Sequence, residues 1–329
     1  MVLENKINLG FLPTPLKPLQ RLSEKYPGYT LYIKRDDQTG LASGGNKTRK
    51  LEYLIYEALH RNCNTVITAG AQQSNHCRQT AAACAATGLE CHLMLGGSEP
   101  EIYDGNLLLS YLLGAHIHFT GEKRKGEDLV WLKAELKKKG KRIYTIPYGG
   151  SNIVGALGFV NAVGELKKQI DDIQVNIDYI FFASSSGGTQ AGLTLGRDLF
   201  ELNTELIPIN IDKSETEDLS LQNCVLNILS DGRKILGIQK KYQPEDIPII
   251  KDYDKAGYGV VTKNEADALK ELAETEGIIL DPVYTARAFY GMLDYLRKKK
   301  IHKGSNVLFW HTGGLPATFH YADQLKIRM

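Results

Sequence analysis

Alternation is the feature that most constrains this chain. Short apolar runs alternate with segments whose apolar residues recur at helical spacing, and glycines close several of them. Residues 31–34, 65–68, 91–95 and 117–120 read as strands. Residues 47–60, 75–87, 106–113 and 127–139 read as helices, with Gly88 and Gly114 as stops. Such strand–helix order predicts a parallel sheet with helices on both faces. A Gly-rich stretch, 148–158, reads as a crossing into a second series. That series has strands at 177–183, 207–211 and 306–310 and helices at 192–202, 218–230 and 265–276. The unbroken apolar run of 177–183 suits a doubly buried strand. The fold class expected is α/β, with two open twisted α/β domains and a ligand cleft between them.

Composition narrows the function classes. The chain has 329 residues, enough for two domains. Its 40 Lys plus Arg against 38 Asp plus Glu leave a net charge of +2, with no general pull toward nucleic acid or anionic membrane. No stretch approaches the ~18 apolar residues of a membrane span. Residues 1–10 mix Glu4 and Lys6 with Val2, Leu3 and Ile7, which is no secretory signal. A cytoplasmic protein with no nucleic-acid and no membrane partner is expected. The five cysteines are odd in number and form no C-x-x-C, so Cys77, Cys84 and Cys91 read as core packing. No phosphate loop of the NTPase kind, G-x-G-x-x-G, G-x-S-x-G or H-E-x-x-H occurs. His116 and His118 can share a strand face, but no acidic or thiol partner is near in sequence, and no metal is implied.

Three segments carry chemistry. In 43–50, Lys47 sits between a glycine turn and a helix start, where helix amides disfavour an ammonium and favour the neutral amine a Schiff base needs. In 184–192, serines, Thr189 and glycines follow the buried strand and open a helix. Such a loop can wrap a phosphate monoester through amides and hydroxyls. It holds no Lys or Arg. In 72–80, Ser74, Asn75 and His76 precede an Ala-rich helix, whose amino end can seat a carboxylate; one of Ser74 and Asn75 also caps it. Schiff-base lysine, phosphate cup and carboxylate seat are together what a pyridoxal phosphate enzyme needs for an amino-acid substrate.

Five motifs appear in order: Gly44-Gly-Asn-Lys-Thr-Arg-Lys-Leu-Glu52, Gln73-Ser-Asn-His76 with Arg78-Gln-Thr80, Gly187-Gly-Thr-Gln-Ala-Gly192, Asp281-Pro-Val-Tyr-Thr285 and His311-Thr-Gly-Gly-Leu-Pro316. With them the chain resembles the D-cysteine desulfhydrase and 1-aminocyclopropane-1-carboxylate deaminase family, a branch of the tryptophan-synthase-β-like pyridoxal phosphate enzymes. The resemblance spans essentially the whole chain. It implies pyridoxal 5'-phosphate as cofactor, held by Lys47, which would also carry the proton at the substrate Cα. It further implies that Asn75 bonds the cofactor's phenolic oxygen, that Ser186, Gly187, Gly188 and Thr189 bind its phosphate, and that Ser74 and His76 touch substrate. Tyr284 and Tyr258 would stand at the active site. The resemblance also implies a small domain at 48–152, a discontinuous large domain from 1–47 and 153–329, and a homodimer.

Two positions separate the subfamilies. Ring-opening deaminases typically carry Glu where this chain has Thr285, and Gln where it has His76. A carboxylate pairing with the pyridine nitrogen makes the ring a strong electron sink; a hydroxyl, Thr285 or Thr312, does not. An imidazole can give a proton to departing sulfur, and an amide cannot. The expectation is a carbon–sulfur lyase taking D-cysteine to pyruvate, sulfide and ammonia. The cyclopropane deaminase reaction and lyases of L-cysteine or cysteate are the alternatives.

Overall fold

The computed structural model describes residues 2–212 and 220–325. From the amino end, β1 (Leu16–Pro18), α1 (Gln20–Lys25) and β2 (Thr30–Arg35) lead to α2 (Lys47–His60). Strict alternation follows: β3 (Thr65–Ala71), α3 (Asn75–Thr87), β4 (Glu90–Gly96), α4 (Gly105–Leu112), β5 (His116–Phe119), α5 (Leu129–Lys138) and β6 (Ile143–Thr145). Helix α6 (Ile153–Asp172) carries the chain to β7 (Tyr179–Ser184), α7 (Gly188–Leu199), β8 (Glu205–Asn210) and α8 (Leu221–Leu236). Then come α9 (Lys263–Glu276), α10 (Thr285–Arg297), β9 (Asn306–His311), α11 (Leu315–His320) and α12 (Ala322–Leu325).

Two sheets result. One has the order β5-β4-β3-β6 and is parallel throughout. The other has the order β1-β2-β9-β7-β8 and is parallel except that β1 runs antiparallel to β2. Parallel strands need cover on both faces. In the smaller sheet Val66, Leu93 and Leu95 pack on Leu51, Leu54 and Ile55 of α2 and on Cys77, Ala81 and Cys84 of α3. The opposite face, Ile67, Ala69 and Met94, packs on Leu129, Leu132 and Leu136 of α5. In the larger sheet Phe181, Val307 and Phe309 meet Phe289 and Met292 of α10, while Ile180, Phe182 and Leu308 meet Phe159, Val163 and Leu166 of α6. Each such fully buried Leu, Ile or Phe contributes about 1.5–3 kcal/mol. All five cysteines are free thiols, and Cys77, Cys84 and Cys91 lie in the core as expected. Among the described residues no helix is long and apolar enough to cross a membrane.

Three local readings change. The stretch 148–158 is mostly not a crossing, because the long helix α6 starts at Ile153. Its glycines are close contacts. A Cβ on Gly158 would lie 2.2 Å from the Arg49 carbonyl oxygen, and one on Gly155 2.2 Å from the Gly150 oxygen. Small residues there let α6 press on α2. Of the expected helix 218–230, residues 218 and 219 lie outside the described residues; Ser220 caps α8 by accepting from the Asn223 amide. Third, His116 does have an acidic neighbour, Glu90 Oε1 at 3.8 Å from its Nε2. Parallel pairing of β4 with β5 sets His116 opposite His92, and Glu90 lies 2.8 Å from His92 Nε2. That proximity arises from strand register, which spacing along one segment does not reveal.

Candidate active site

The carboxyl ends of the two sheets face one small cavity, partly open to solvent. Lys47, Ser74, Asn75, His76, Ser186, Gly187, Thr189, Tyr284 and Thr312 all line it, so most of the expected residues converge. Lys47 is the first residue of α2, directly after the turn at Gly44 and Gly45 (φ 71° and 128°). A Cβ on Gly44 would fall 2.0 Å from the Asp37 oxygen, so only glycine makes this turn. The Asn46 amide donates to the Thr312 oxygen at 2.9 Å, which ties the start of α2 to the end of β9. The Lys47 amine donates to Gly149 O at 3.3 Å, and burial pushes its pKa down to about 8. About a tenth of it is therefore the nucleophilic neutral amine at pH 7, far more than for an ordinary lysine.

Asn75 is oriented by a chain of donors. Arg78 can only donate, and its Nε reaches Asn106 Oδ1 at 2.7 Å. The Asn106 amide nitrogen therefore faces Asn75 Oδ1 at 2.8 Å. That leaves Asn75 Nδ2 as a donor aimed past Gly314, where a Cβ would sit 2.7 Å from it. Ser74 is the cap of α3, accepting from the Cys77 amide at 3.2 Å. His76 is buried, and burial together with Lys47 and Lys50 holds its pKa well below the usual imidazole range. Its Nε2 lies 2.9 Å from Thr68 Oγ1, and that hydroxyl donates to Ile146 O at 2.9 Å. A hydroxyl has one proton, so His76 must supply the other, from Nε2. Nδ1 is then an unprotonated acceptor, buried and without a protein partner. The ring is thus arranged to accept at Nδ1; the imidazolium needed to protonate a leaving group is disfavoured.

The loop after β7 turns through Gly187 (φ 84°) into α7. The first amides of a helix have no carbonyl partner ahead of them and favour an anion. The loop is packed tightly: a Cβ on Gly149 would lie 2.2 Å from Ser186 Oγ. Gly188 is buried, and its amide donates to Ser151 Oγ at 3.1 Å, while Ser151 Oγ donates to Ser186 Oγ at 2.8 Å. Sequence reasoning missed a basic side chain here. Lys50 is 1% exposed and donates to Gly149 O at 3.1 Å and Ser151 Oγ at 3.4 Å. Burial and the neighbouring Lys47 drive its pKa well below the ordinary lysine value. The signal was available, because residues three apart on a helix share a face.

The two tyrosines meet, with Tyr258 Oη 2.7 Å from Tyr284 Oη. Burial raises both phenols well above the ordinary value and keeps them protonated. Arg124 stacks over the Tyr258 ring at 4.4 Å and donates to Tyr148 Oη at 3.0 Å and Asp212 Oδ2 at 2.6 Å. It was also invisible locally. Gly188, Tyr258 and Thr285 stand outside the cavity lining, and of these Thr285 is tied up elsewhere. Fully buried at the start of α10, its hydroxyl is 2.8 Å from Asp281 Oδ1 and accepts from the Asp281 amide at 2.7 Å. Asp281 in turn accepts from the amides of Val283, Tyr284 and Thr285.

A nucleophilic lysine at a helix start, an amide-and-hydroxyl anion cup and a fixed donor opposite define a fold and site of the class that uses pyridoxal 5'-phosphate, and the residues fit that group. Residues 7–313 match the model of the pyridoxal-phosphate dependent enzyme family, and the chain belongs to it, in the branch of the 1-aminocyclopropane-1-carboxylate deaminases and D-cysteine desulfhydrases. A Pyrococcus abyssi protein provisionally named as such a deaminase is 42% identical over 95% of this chain and 92% of its own. A Klebsiella pneumoniae protein named D-cysteine desulfhydrase is 41% identical over 97% of both. The crystal structure of a homologue of 1-aminocyclopropane-1-carboxylate deaminase superposes with a TM-score of 0.88 at 37% identity, covering 97% of this chain and 95% of that one.

Proposed function

We propose that this enzyme catalyses β-elimination on a small amino acid, taking D-cysteine to pyruvate, sulfide and ammonia. One observation carries the choice: among the described residues, no carboxylate lines the cavity. Thr312 is among the hydroxyls that line it, while the nearby Asp281 is satisfied by three amides and Thr285. A neutral wall does not hold a pyridine nitrogen protonated. Loss of a thiolate tolerates that weaker electron demand; opening an unactivated cyclopropane does not. The relatives' names divide between the two activities, so the cavity lining and not a name carries the choice.

When bound, pyridoxal 5'-phosphate supplies an electron-withdrawing ring conjugated to the substrate Cα. Lys47 is its point of attachment and the base that moves the Cα proton. Asn75 would offer it a donor at the phenolic oxygen. Ser186, Gly187, Gly188 and Thr189 hold its phosphate, with Ser151 and Lys50. Ser74 and the amino end of α3 seat the substrate carboxylate. His76 accepts the substrate S–H at Nδ1, so that sulfur departs as HS⁻ with its own proton and the Cβ–S electron pair. Tyr284 and Tyr258 present protonated hydroxyls to the substrate side.

We also assign 48–152 as a small domain and 1–47 with 153–329 as a large one, in a cytoplasmic homodimer. Helices α4 and α11, which pack together, expose Leu108, Tyr111, Leu112 and Phe319, an apolar surface suited to a second copy. The substrate is tested by supplying D-cysteine, L-cysteine, cysteate and the cyclopropane amino acid separately to the holoenzyme. Sulfide and pyruvate from D-cysteine are expected. 2-Oxobutyrate from the cyclopropane substrate, with no sulfide from D-cysteine, would reverse the assignment.

A further inference from the structure

We propose that Glu90, His92 and His116 bind one divalent transition-metal ion of the zinc class on the edge of the smaller sheet. Alternation along β4 and β5 puts Glu90, His92, His116 and His118 on one face, because side chains two apart point the same way. Register sets His92 opposite His116. Helix α5 covers this face farther in, at Ile67, Ala69 and Met94, and leaves the histidine corner open.

The donor atoms already converge. Glu90 Oε1 lies 2.8 Å from His92 Nε2 and 3.8 Å from His116 Nε2, and one ligand atom from each residue lies within 4.8 Å of the others. Zinc takes N and O ligands at about 2.0–2.2 Å in a tetrahedron, which places ligand atoms roughly 3.4 Å apart. These separations bracket that value, so small side-chain shifts complete the site. Exposed His116 leaves a remaining position to water.

The surroundings are those of a metal site. Glu90's second oxygen is held by Lys141, which orients the carboxylate and leaves Oε1 for the ion. His92 Nδ1 lies 3.0 Å from His118 Nε2. With the ion bound, His92 carries its proton on Nδ1 and donates it to His118, the outer hydrogen bond that metal-bound histidines ordinarily make. The positive charge of Lys141 opposes the ion, so micromolar affinity is expected. Glu90 and His92 sit at the amino end of β4, whereas Ser74, Asn75 and His76 follow the carboxyl end of the adjacent β3. The two sites are therefore separate.

The test is calorimetric titration of zinc chloride into the holoenzyme and its variants. One ion per chain is expected for wild type. His116→Ala and Glu90→Gln should each raise the Kd for that ion at least tenfold, with sulfide production from the amino-acid substrate unchanged. His116 is exposed, so its variant keeps the fold, and unchanged thermal melts without zinc confirm that. No binding tighter than 100 μM, or the same isotherm in wild type and His116→Ala, would overturn the proposal. The second outcome would place the bound zinc elsewhere. Neither outcome bears on the lyase reading, which the sulfide assay tests separately.

Discussion

Replacing Lys50 by Met should weaken cofactor binding by about 10- to 30-fold. Methionine keeps most of the packed stem and deletes the ammonium. In the structure the amine is buried, 3.1 Å from Gly149 O and 3.4 Å from Ser151 Oγ, and Ser151 Oγ accepts from Gly188 at the start of α7. A hydrogen bond to a charged group is worth about 1.5–3 kcal/mol. Burial and Lys47 push the amine well below its ordinary pKa, so protonating it for a phosphate subtracts from that gain. The lower half of the range remains, about 1.5–2 kcal/mol, and each 1.4 kcal/mol is tenfold. The assay strips the cofactor and titrates pyridoxal 5'-phosphate back, following the visible absorption band of wild type and variant. A Kd within twofold of wild type, with the variant folded by circular dichroism, would refute the argument that Lys50 belongs to the phosphate cup.

Three further outcomes are expected. The rate at which stripped enzyme captures pyridoxal 5'-phosphate should rise with pH through about 8 and then level, because the neutral Lys47 amine is the reacting form; a rise centred near the ordinary lysine value of 10.5 would contradict its burial-lowered pKa. Glu165, paired with Arg49 and Lys34, has its pKa lowered to about 2, so its contribution of roughly 3 kcal/mol is present above the unfolded carboxylate value and lost as pH falls toward 2. Glu165→Gln should lower the denaturant midpoint at pH 7 and flatten the acid limb of stability between about pH 4.5 and 2, and an unchanged limb would count against the pairing. Gly158→Ala puts a Cβ 2.2 Å from the Arg49 oxygen, so α6 must move off the turn that follows Lys47; a loss of about 1–3 kcal/mol in urea melts is expected, and an unchanged midpoint would show that the helices give way freely.

Comparison of expectation with structure shows where local information ends. Helices α2 and α3 have the bounds that periodicity gives, and the strand ends shift by only a few residues, because apolar spacing, caps and glycine stops are local properties. Helix α6 was lost because glycine reads locally as a breaker; that Gly155, Gly158 and Gly192 admit a neighbouring backbone is a property of packed helices. Strand β1 escaped for a related reason: three residues pairing antiparallel with β2 carry little periodic signal.

The site divides along the same line. The sequence by itself determined the candidate groups: a lysine after a glycine turn, a serine–glycine loop after a buried strand, and Ser74-Asn-His76 at a helix start. Each depends on residues adjacent in the chain. Tertiary structure decided what those groups can do. It brought Lys50 to Gly149 and Ser151 beside the loop after β7, gave the Thr285 hydroxyl to Asp281, and fixed His76 as an acceptor through Thr68 and Ile146. It also set Glu90, His92 and His116 side by side through strand register. Protonation and hydrogen-bond direction depend on partners that meet only when the sheets and helices pack, so no local pattern records them.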